Sequence, residues 1–119
     1  MPTVSSKRLA SFCHQMGTSL NAGLDTRKAF STCKHLLGKG HTASLSYITN
    51  ELESGGTLYE GIKHCKTTFP PLLSMMVQVG EMSGRTEDAF NGLGDYYDNR
   101  VALIRGFIKS VTWPVLQFV

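Results

Sequence analysis

The sequence predicts an all-α fold: a six-helix bundle whose long C-terminal helix leads into a membrane span. Three observations carry this. Apolar residues recur at three- and four-residue spacing along nearly the whole chain, whereas no stretch alternates as a half-buried strand does. Glycine and proline breaks divide the chain into six periodic segments. The last segment runs on without a further break until Pro114 and becomes apolar on every side.

In the first segment Leu9, Phe12, Cys13, Met16 and Leu20 fall at i, i+3, i+4, i+7 and i+11, one face of a helix. Gly23 supplies its stop, because glycine enters the left-handed conformation that closes helices. Asp25 or Thr26 caps the second helix, which carries Ala29, Phe30, Cys33, Leu36 and Leu37. "GKGH" (38–41) breaks it. Thr42 or Ser44 opens a third helix with Leu45, Ile48 and Leu52 on its apolar face. "SGGT" (54–57) ends that one, and Thr57 with Glu60 has the spacing of a capping box for a short fourth helix holding Leu58, Ile62 and Cys65.

Pro70 disfavours helix at Phe69, and Pro71 suits the first turn of a fifth helix that continues to about Met82. The sixth begins at Arg85 or Thr86, where Glu87 and Asp88 complement the positive end of its dipole. Its apolar face runs Ala89, Phe90, Leu93, Tyr96, Tyr97, Val101, Ile104, Ile108 and Val111. Extended to Val119, this helix reaches about 50 Å at 1.5 Å per residue, longer than a bundle of this size. "SVTWPVLQFV" (110–119) carries no charge and follows Arg100, Arg105 and Lys109. A span needs about 20 apolar residues, so residues 110–119 read as its opening, and the flanking positive charges mark its cytoplasmic side. The domain division is 1–109 for a helical domain and 110–119 for the start of the truncated transmembrane helix.

The bulk properties agree with one globular domain: 119 residues, 41% hydrophobic and 18% charged. A net charge of +3 without a clustered basic stripe argues against a nucleic-acid partner. Cys13, Cys33 and Cys65 are odd in number and far apart, which fits reduced thiols better than a disulfide framework. "MPTVSSKRLASF" has no apolar core of a cleavable signal.

Three Cys–His neighbourhoods (Cys13–His14, Cys33 with His35, His64–Cys65) suggest zinc at first sight. Neighbouring helical residues point in different directions, so neither adjacent pair grips one ion, and each cysteine falls on an apolar face, where it behaves as a small hydrophobe. No metal site and no cofactor site is expected. No nucleophile elbow, phosphate loop or H-E-x-x-H motif is present, so no catalytic residue is assigned and the chain reads as a non-enzyme. Asp95 and Asp98 fit an exposed polar face, with a weak hard-cation site as the minor alternative. Met75, Met76 and Met82 read as core filler or a subunit contact.

Two longer stretches resemble one family. "FPPLLSMMVQVGEMSGRTEDAF" (69–90) is similar to the F-P…G-E-x-(S/T)-G signature of the inner-membrane platform proteins of type II secretion and type IV pilus machines. Phe69, Pro70, Met76, Val77, Gly80, Glu81, Ser83, Gly84 and Phe90 stand at matching positions. "FCHQMGTSLNAGLDTRKAF" (12–30) resembles that family's first helix through Phe12, Gln15, Leu20, Ala22, Gly23, Leu24 and Ala29. "GGTLYEGI" (55–62) fits a third motif, with Gly61 in place of its alanine, and Trp113–Pro114 resembles the Tyr-Pro that opens the family's first transmembrane helix. Arg85–Thr86 departs from the apolar residue usual after the second glycine. Typical members carry two copies of the domain and three transmembrane helices; here there is one copy and half a span.

The resemblance implies a platform role without bond chemistry, at the bacterial inner membrane with this domain facing the cytoplasm. Expected partners are the cytoplasmic assembly ATPase, neighbouring inner-membrane assembly subunits, the membrane itself through the C-terminal helix, and further copies in a homodimer or higher oligomer. The alternative is a soluble all-helical protein-interaction adaptor whose last ten residues fold back into the core. The motif residues Phe12, Gln15, Gly23, Phe69, Pro70, Gly80, Glu81, Ser83, Gly84 and Pro114 are expected to serve structure or partner contact, with Gly80 allowing close helix approach, Gly84 ending the fifth helix, and Glu81 held near the tip, available to pair with a base or a neighbouring amide.

Overall fold

The computed structural model describes residues 4–100. Within them the chain forms helices α1 (Ser6–Asn21), α2 (Thr26–Cys33), α3 (Thr42–Glu53), α4 (Leu58–His64), α5 (Pro71–Ser83) and α6 (86–100), with no strand. The six expected helices are all there, and their ends follow local chemistry. Ser5 accepts from the Arg8 amide to start α1. Of the two candidate caps for α2 it is Asp25 that acts, its carboxylate accepting the Lys28 N–H at 2.8 Å. Thr57 caps α4 by accepting the Glu60 N–H at 3.1 Å. Pro71 occupies the first turn of α5, and Gly84, at φ +72°, closes it.

Three details differ from the sequence reading. α2 stops at Cys33, and Leu36 and Leu37 lie on a 3₁₀ turn, Lys34–Leu37. Tightening the last turn lets i→i+3 bonds satisfy carbonyls at the helix end, while Leu37 still reaches the core. "GKGH" is not an open break either: Lys39–His41 forms a second 3₁₀ turn leading straight into α3. α3 starts at Thr42 with His41 before it and no side-chain cap, while the Ser44 hydroxyl is turned to Thr68 at 2.7 Å. On α6 Leu93 and Tyr97 are buried but Tyr96 is 45% exposed. Adjacent helical residues point about 100° apart, and here the core takes Tyr97 while Tyr96 stays partly in solvent.

One core unites the elements. Phe12 of α1 sits at its centre, edge-on to Phe30 of α2 at 6.0 Å and to Phe90 of α6 at 6.1 Å. Leu58 and Ile62 of α4, Ile48 of α3 and Leu73 and Val77 of α5 extend it. Glycines set two close approaches. A Cβ on Gly61 would lie 3.2 Å from Ile48 of α3, and one on Gly94 would lie 2.7 Å from the His14 ring. At the second approach α1 lies against α6, and His14 Nε2 bonds Asp98 Oδ2 at 2.5 Å. The N-terminal segment is tied in by Val4 N–H donating to the Thr68 carbonyl at 3.0 Å. Among the described residues no helix is long and apolar enough to cross a membrane. The expected continuation of α6 beyond residue 100, the boundary at 109/110 and Pro114 lie outside the described residues.

Candidate functional site

The segment linking α5 to α6 is the most distinctive feature of the sequence, and it is built as a clamp. Glu81, on the last turn of α5, points back at the start of α4. Its Oε1 accepts the Tyr59 N–H at 2.8 Å and its Oε2 accepts the Leu58 N–H at 3.0 Å. A helix N-terminus leaves four N–H groups without an intrahelical acceptor and carries a partial positive charge. At α4, Thr57 takes the Glu60 N–H while Glu81 takes two more. A carboxylate suits this place because it accepts on both oxygens and its charge opposes the dipole.

The neighbours of Glu81 serve the same junction. A Cβ on Gly80 would stand 2.8 Å from the Ala89 methyl and 3.2 Å from the Arg85 carbonyl, so glycine here lets α6 fold back against α5. Ser83 donates to the Val79 carbonyl at 2.7 Å. Gly84 takes the left-handed φ of +72° and the Arg85 N–H returns to the Gly80 carbonyl at 2.7 Å. Arg85, in the place of the family's usual apolar residue, points outward and pairs with Asp88 at 3.3 Å.

The remaining motif residues do not gather at one point. Phe12 and Phe69 are buried in the core, Pro70 precedes α5 in extended conformation, and Gly23 ends α1 at φ +98°. Gln15 lies exposed on α1. Gln15 does not line the hollow beside Glu81.

The cysteines lie in the core as small apolar groups. Burial pushes the Cys13 thiol up to about 12, and burial raises Cys33 too, opposed by its contact with the Ser19 hydroxyl. Both stay protonated at neutral pH and are poor nucleophiles. Of the histidines beside them, His64 stacks on Tyr47 with ring centres 4.4 Å apart, and His14 engages Asp98. Among the described residues no three His, Cys, Asp or Glu side chains converge as metal ligands.

Two features escaped the sequence reading. The His14–Asp98 pair joins residues that sequence reasoning had placed in different contexts, a cysteine neighbourhood and a polar helix face. The spacing of Gly94 and Asp98, one turn apart, is the signal: the glycine leaves room for an imidazole that the carboxylate then holds. The second is on α5. Met76 packs against the core, but Leu72, Met75, Val79 and Met82 face outward with 36%, 62%, 60% and 81% exposure. Met75 and Met82 are thus surface residues, not core filler. Their spacing from Leu72 and Val79 (i, i+3, i+7, i+10) was readable, but α5 is apolar on two faces, which conceals which one turns inward. The stripe borders two shallow hollows, one lined by Ile62, Phe69 and Met75 together with Lys63 and Lys66, the other by Tyr59, Gln78 and Met82 together with Glu60 and Glu81.

Comparison with known proteins bears directly on this arrangement. Residues 12–119 match the family model of the type II secretion system (T2SS), protein F. The chain is 26% identical over 113 residues to the type II secretion system protein F of Aeromonas hydrophila, covering 94% of this chain and 29% of the relative. It is 30% identical over 115 residues to the type IV pilus assembly protein PilC of Thermus thermophilus, covering 95% and 28%. With PilC of Myxococcus xanthus it shares 23% over 117 residues, 98% and 28%. The chain spans less than a third of the length of these curated relatives.

Proposed function

The chain belongs to the type II secretion system protein F family, and from that premise we propose that it is a non-enzymatic platform component of a type II secretion or type IV pilus-like machine. The observation that carries this reading is the family match across residues 12–119. A contiguous apolar stripe left exposed on α5 supports it, since such surfaces suit protein contact.

In this reading the bundle sits at the cytoplasmic face of the bacterial inner membrane and residues 110–119 open a span, with Pro114 near its start and Arg100, Arg105 and Lys109 on the cytoplasmic side. The bundle docks the cytoplasmic assembly ATPase and adjacent inner-membrane subunits. It works by contact and displacement, and no bond is made or broken on it. Phe12, Gly23, Phe69, Pro70, Gly80, Glu81, Ser83 and Gly84 hold the bundle in shape, and Gln15 stands on the surface for contact.

Co-isolation tests the reading. The natural protein, tagged and extracted from membranes with mild detergent, is expected to bring the assembly ATPase with it. Recovery in the aqueous fraction without that ATPase contradicts the platform assignment and favours a soluble adaptor.

A further inference from the structure

We propose that the end of the bundle where α1 begins and α4 closes is a contact surface for the anionic lipid headgroups of the membrane. The inference deepens the platform reading and rests on it, naming the face by which the bundle lies on the bilayer.

The sequence scatters its cations, and the fold gathers them. Val4 N–H donates to the Thr68 carbonyl and the Ser44 hydroxyl meets that of Thr68 at 2.7 Å, so the starts of α1 and α3 join the turn after α4. The Arg8 guanidinium lies 3.2 Å from where a Cβ on Gly38 would stand, which brings in the two 3₁₀ turns. Lys7, Arg8, Lys39, Lys63 and Lys66 are thereby placed at one end, and all five are exposed. Among the described residues the ion pairs are His14–Asp98 and Arg85–Asp88, so none of the five is taken up by a carboxylate.

The acids collect at the other end. Residues 4–24, 26–50 and 61–80 hold no Asp or Glu. Asp25, Glu60 and Glu87 stand where α2, α4 and α6 start, and Glu53 and Glu81 where α3 and α5 finish. Glu51 and Glu60 bound the basic end on one flank, sharing a hollow with Lys63 and Lys66. The bundle is therefore polarised along its length, positive at the tip where α1 begins.

Two observations select a lipid surface as the occupant. The first is the path of the chain. His14 of α1 lies against Gly94 and Asp98 of α6, and Gly17 against Asn91, so α6 runs antiparallel to α1 and Arg100 heads toward the basic end. The sequence beyond it holds Arg105, Lys109 and the uncharged residues 110–119 read as the opening of a span. The second is the hollow of about 250 Å³ beside Lys63 and Lys66, floored by Ile62, Phe69 and Met75. Cations beside an apolar recess suit the interfacial zone, where charge attracts phosphate and apolar side chains meet the acyl boundary. Each Lys or Arg at an anionic surface strengthens partitioning roughly fivefold.

The test is flotation of the full 119-residue chain with vesicles of phosphatidylcholine alone or with about one third phosphatidylglycerol. The neutral vesicles register the apolar C-terminal residues, and the difference between the two registers charge. Lys39→Glu with Lys66→Glu changes the basic end, and Arg27→Glu with Lys28→Glu makes the same change of charge at the opposite end. All four positions are exposed, so both variants are expected to keep the parent's circular dichroism and melting temperature. The parent is expected to prefer the anionic vesicles at least tenfold, and to lose that preference at about 0.5 M salt, where screening acts within a few ångströms. The Lys39/Lys66 variant is expected to lose at least tenfold on anionic vesicles and nothing on neutral ones, while the Arg27/Lys28 variant changes less than about threefold. A dye on Met75→Cys is expected to shift to the blue on anionic vesicles, and one on Met82→Cys, at the far end of α5, is not. A parent indifferent to phosphatidylglycerol overturns the proposal, as do equal losses in the two variants or a blue shift at Met82 alone. Tighter binding to a short DNA duplex than to anionic vesicles shows a different polyanion as occupant and also overturns it. Failure of the ATPase co-isolation removes the platform reading and leaves the vesicle result standing, whereas co-isolation with no anionic-lipid preference removes this inference alone.

Discussion

Glu81 holds Leu58 across 23 positions of sequence, its carboxylate accepting the backbone N–H of Leu58 at 3.0 Å and that of Tyr59 at 2.8 Å. α4 has only seven residues, too few to persist without tertiary support. The G-E-x-S-G segment therefore does two things at once. It turns the chain from α5 into α6, and it supplies the acceptor that α4 cannot find locally.

Replacing Glu81 removes both acceptors. Glu81→Ala is expected to lower stability by roughly 2 kcal/mol, from two charge-assisted bonds in a half-buried setting. Glu81→Gln keeps one acceptor oxygen and is expected to lose about half as much. Urea denaturation gives the magnitudes, and hydrogen exchange at Leu58 and Tyr59 is expected to quicken ahead of the rest of the fold.

The glycines give a graded series. A Cβ on Gly80 meets Ala89 at 2.8 Å, whereas one on Gly61 meets Ile48 at 3.2 Å. Gly80→Ala is expected to cost about 1–3 kcal/mol, the usual effect of overpacking. For Gly61→Ala a small shift of Ile48 and a helix-propensity gain of about 0.5–1 kcal/mol offset each other, leaving a change within about 1 kcal/mol. Gly84→Ala has open space around it but a φ of +72°, and is expected to cost about 1–2 kcal/mol. Thermal melts of the three variants decide the order.

Tyr97 is 1% exposed, yet among the described residues its hydroxyl has no hydrogen-bond partner. Tyr97→Phe removes a buried polar atom and keeps the ring, so stability is expected to stay level or rise by up to about 1 kcal/mol. A loss beyond that in chemical denaturation would reveal a bond to this hydroxyl.

Alkali should weaken the fold. Burial raises the Cys13 thiol from 9.0 to about 12. Burial, then the nearby Cys13 and Tyr96, raise Tyr97 from 10.0 to about 12, against the opposing pull of Arg100. Both groups are neutral when protonated, so above pH 9 the unfolded chain loses protons that the folded chain retains. Stability is then full below pH 9 and falls as pH rises toward 12, with a slope of about 1.4 kcal/mol per pH unit for each group titrating only in the unfolded state. Urea midpoints between pH 8 and 11 test the direction, and Cys13→Ala is expected to flatten the first part of the decline.

Much of the architecture was legible because it is local. Periodicity and caps such as Asp25 and Thr57 need only neighbouring residues, and Gly80 and Gly84 announced a tight junction before any contact was known. What Glu81 bonds was not legible, because its partners lie more than 20 positions away and are backbone groups that any sequence has. The His14–Asp98 pair was hidden for the same reason, 84 positions apart. On α5 both faces are apolar, so periodicity gave a helix without saying which methionines it exposes. Tyr96 shows the converse error, assigned to the apolar face beside Tyr97 although it is 45% exposed.

Membrane partitioning tests the central claim most directly. The full natural protein and a version ending at Lys109 are expressed alike and separated into membrane and aqueous fractions. The account predicts that the longer chain requires detergent and the shorter one does not. If both remain in the aqueous fraction, residues 110–119 belong to the bundle, and the platform at the membrane is contradicted.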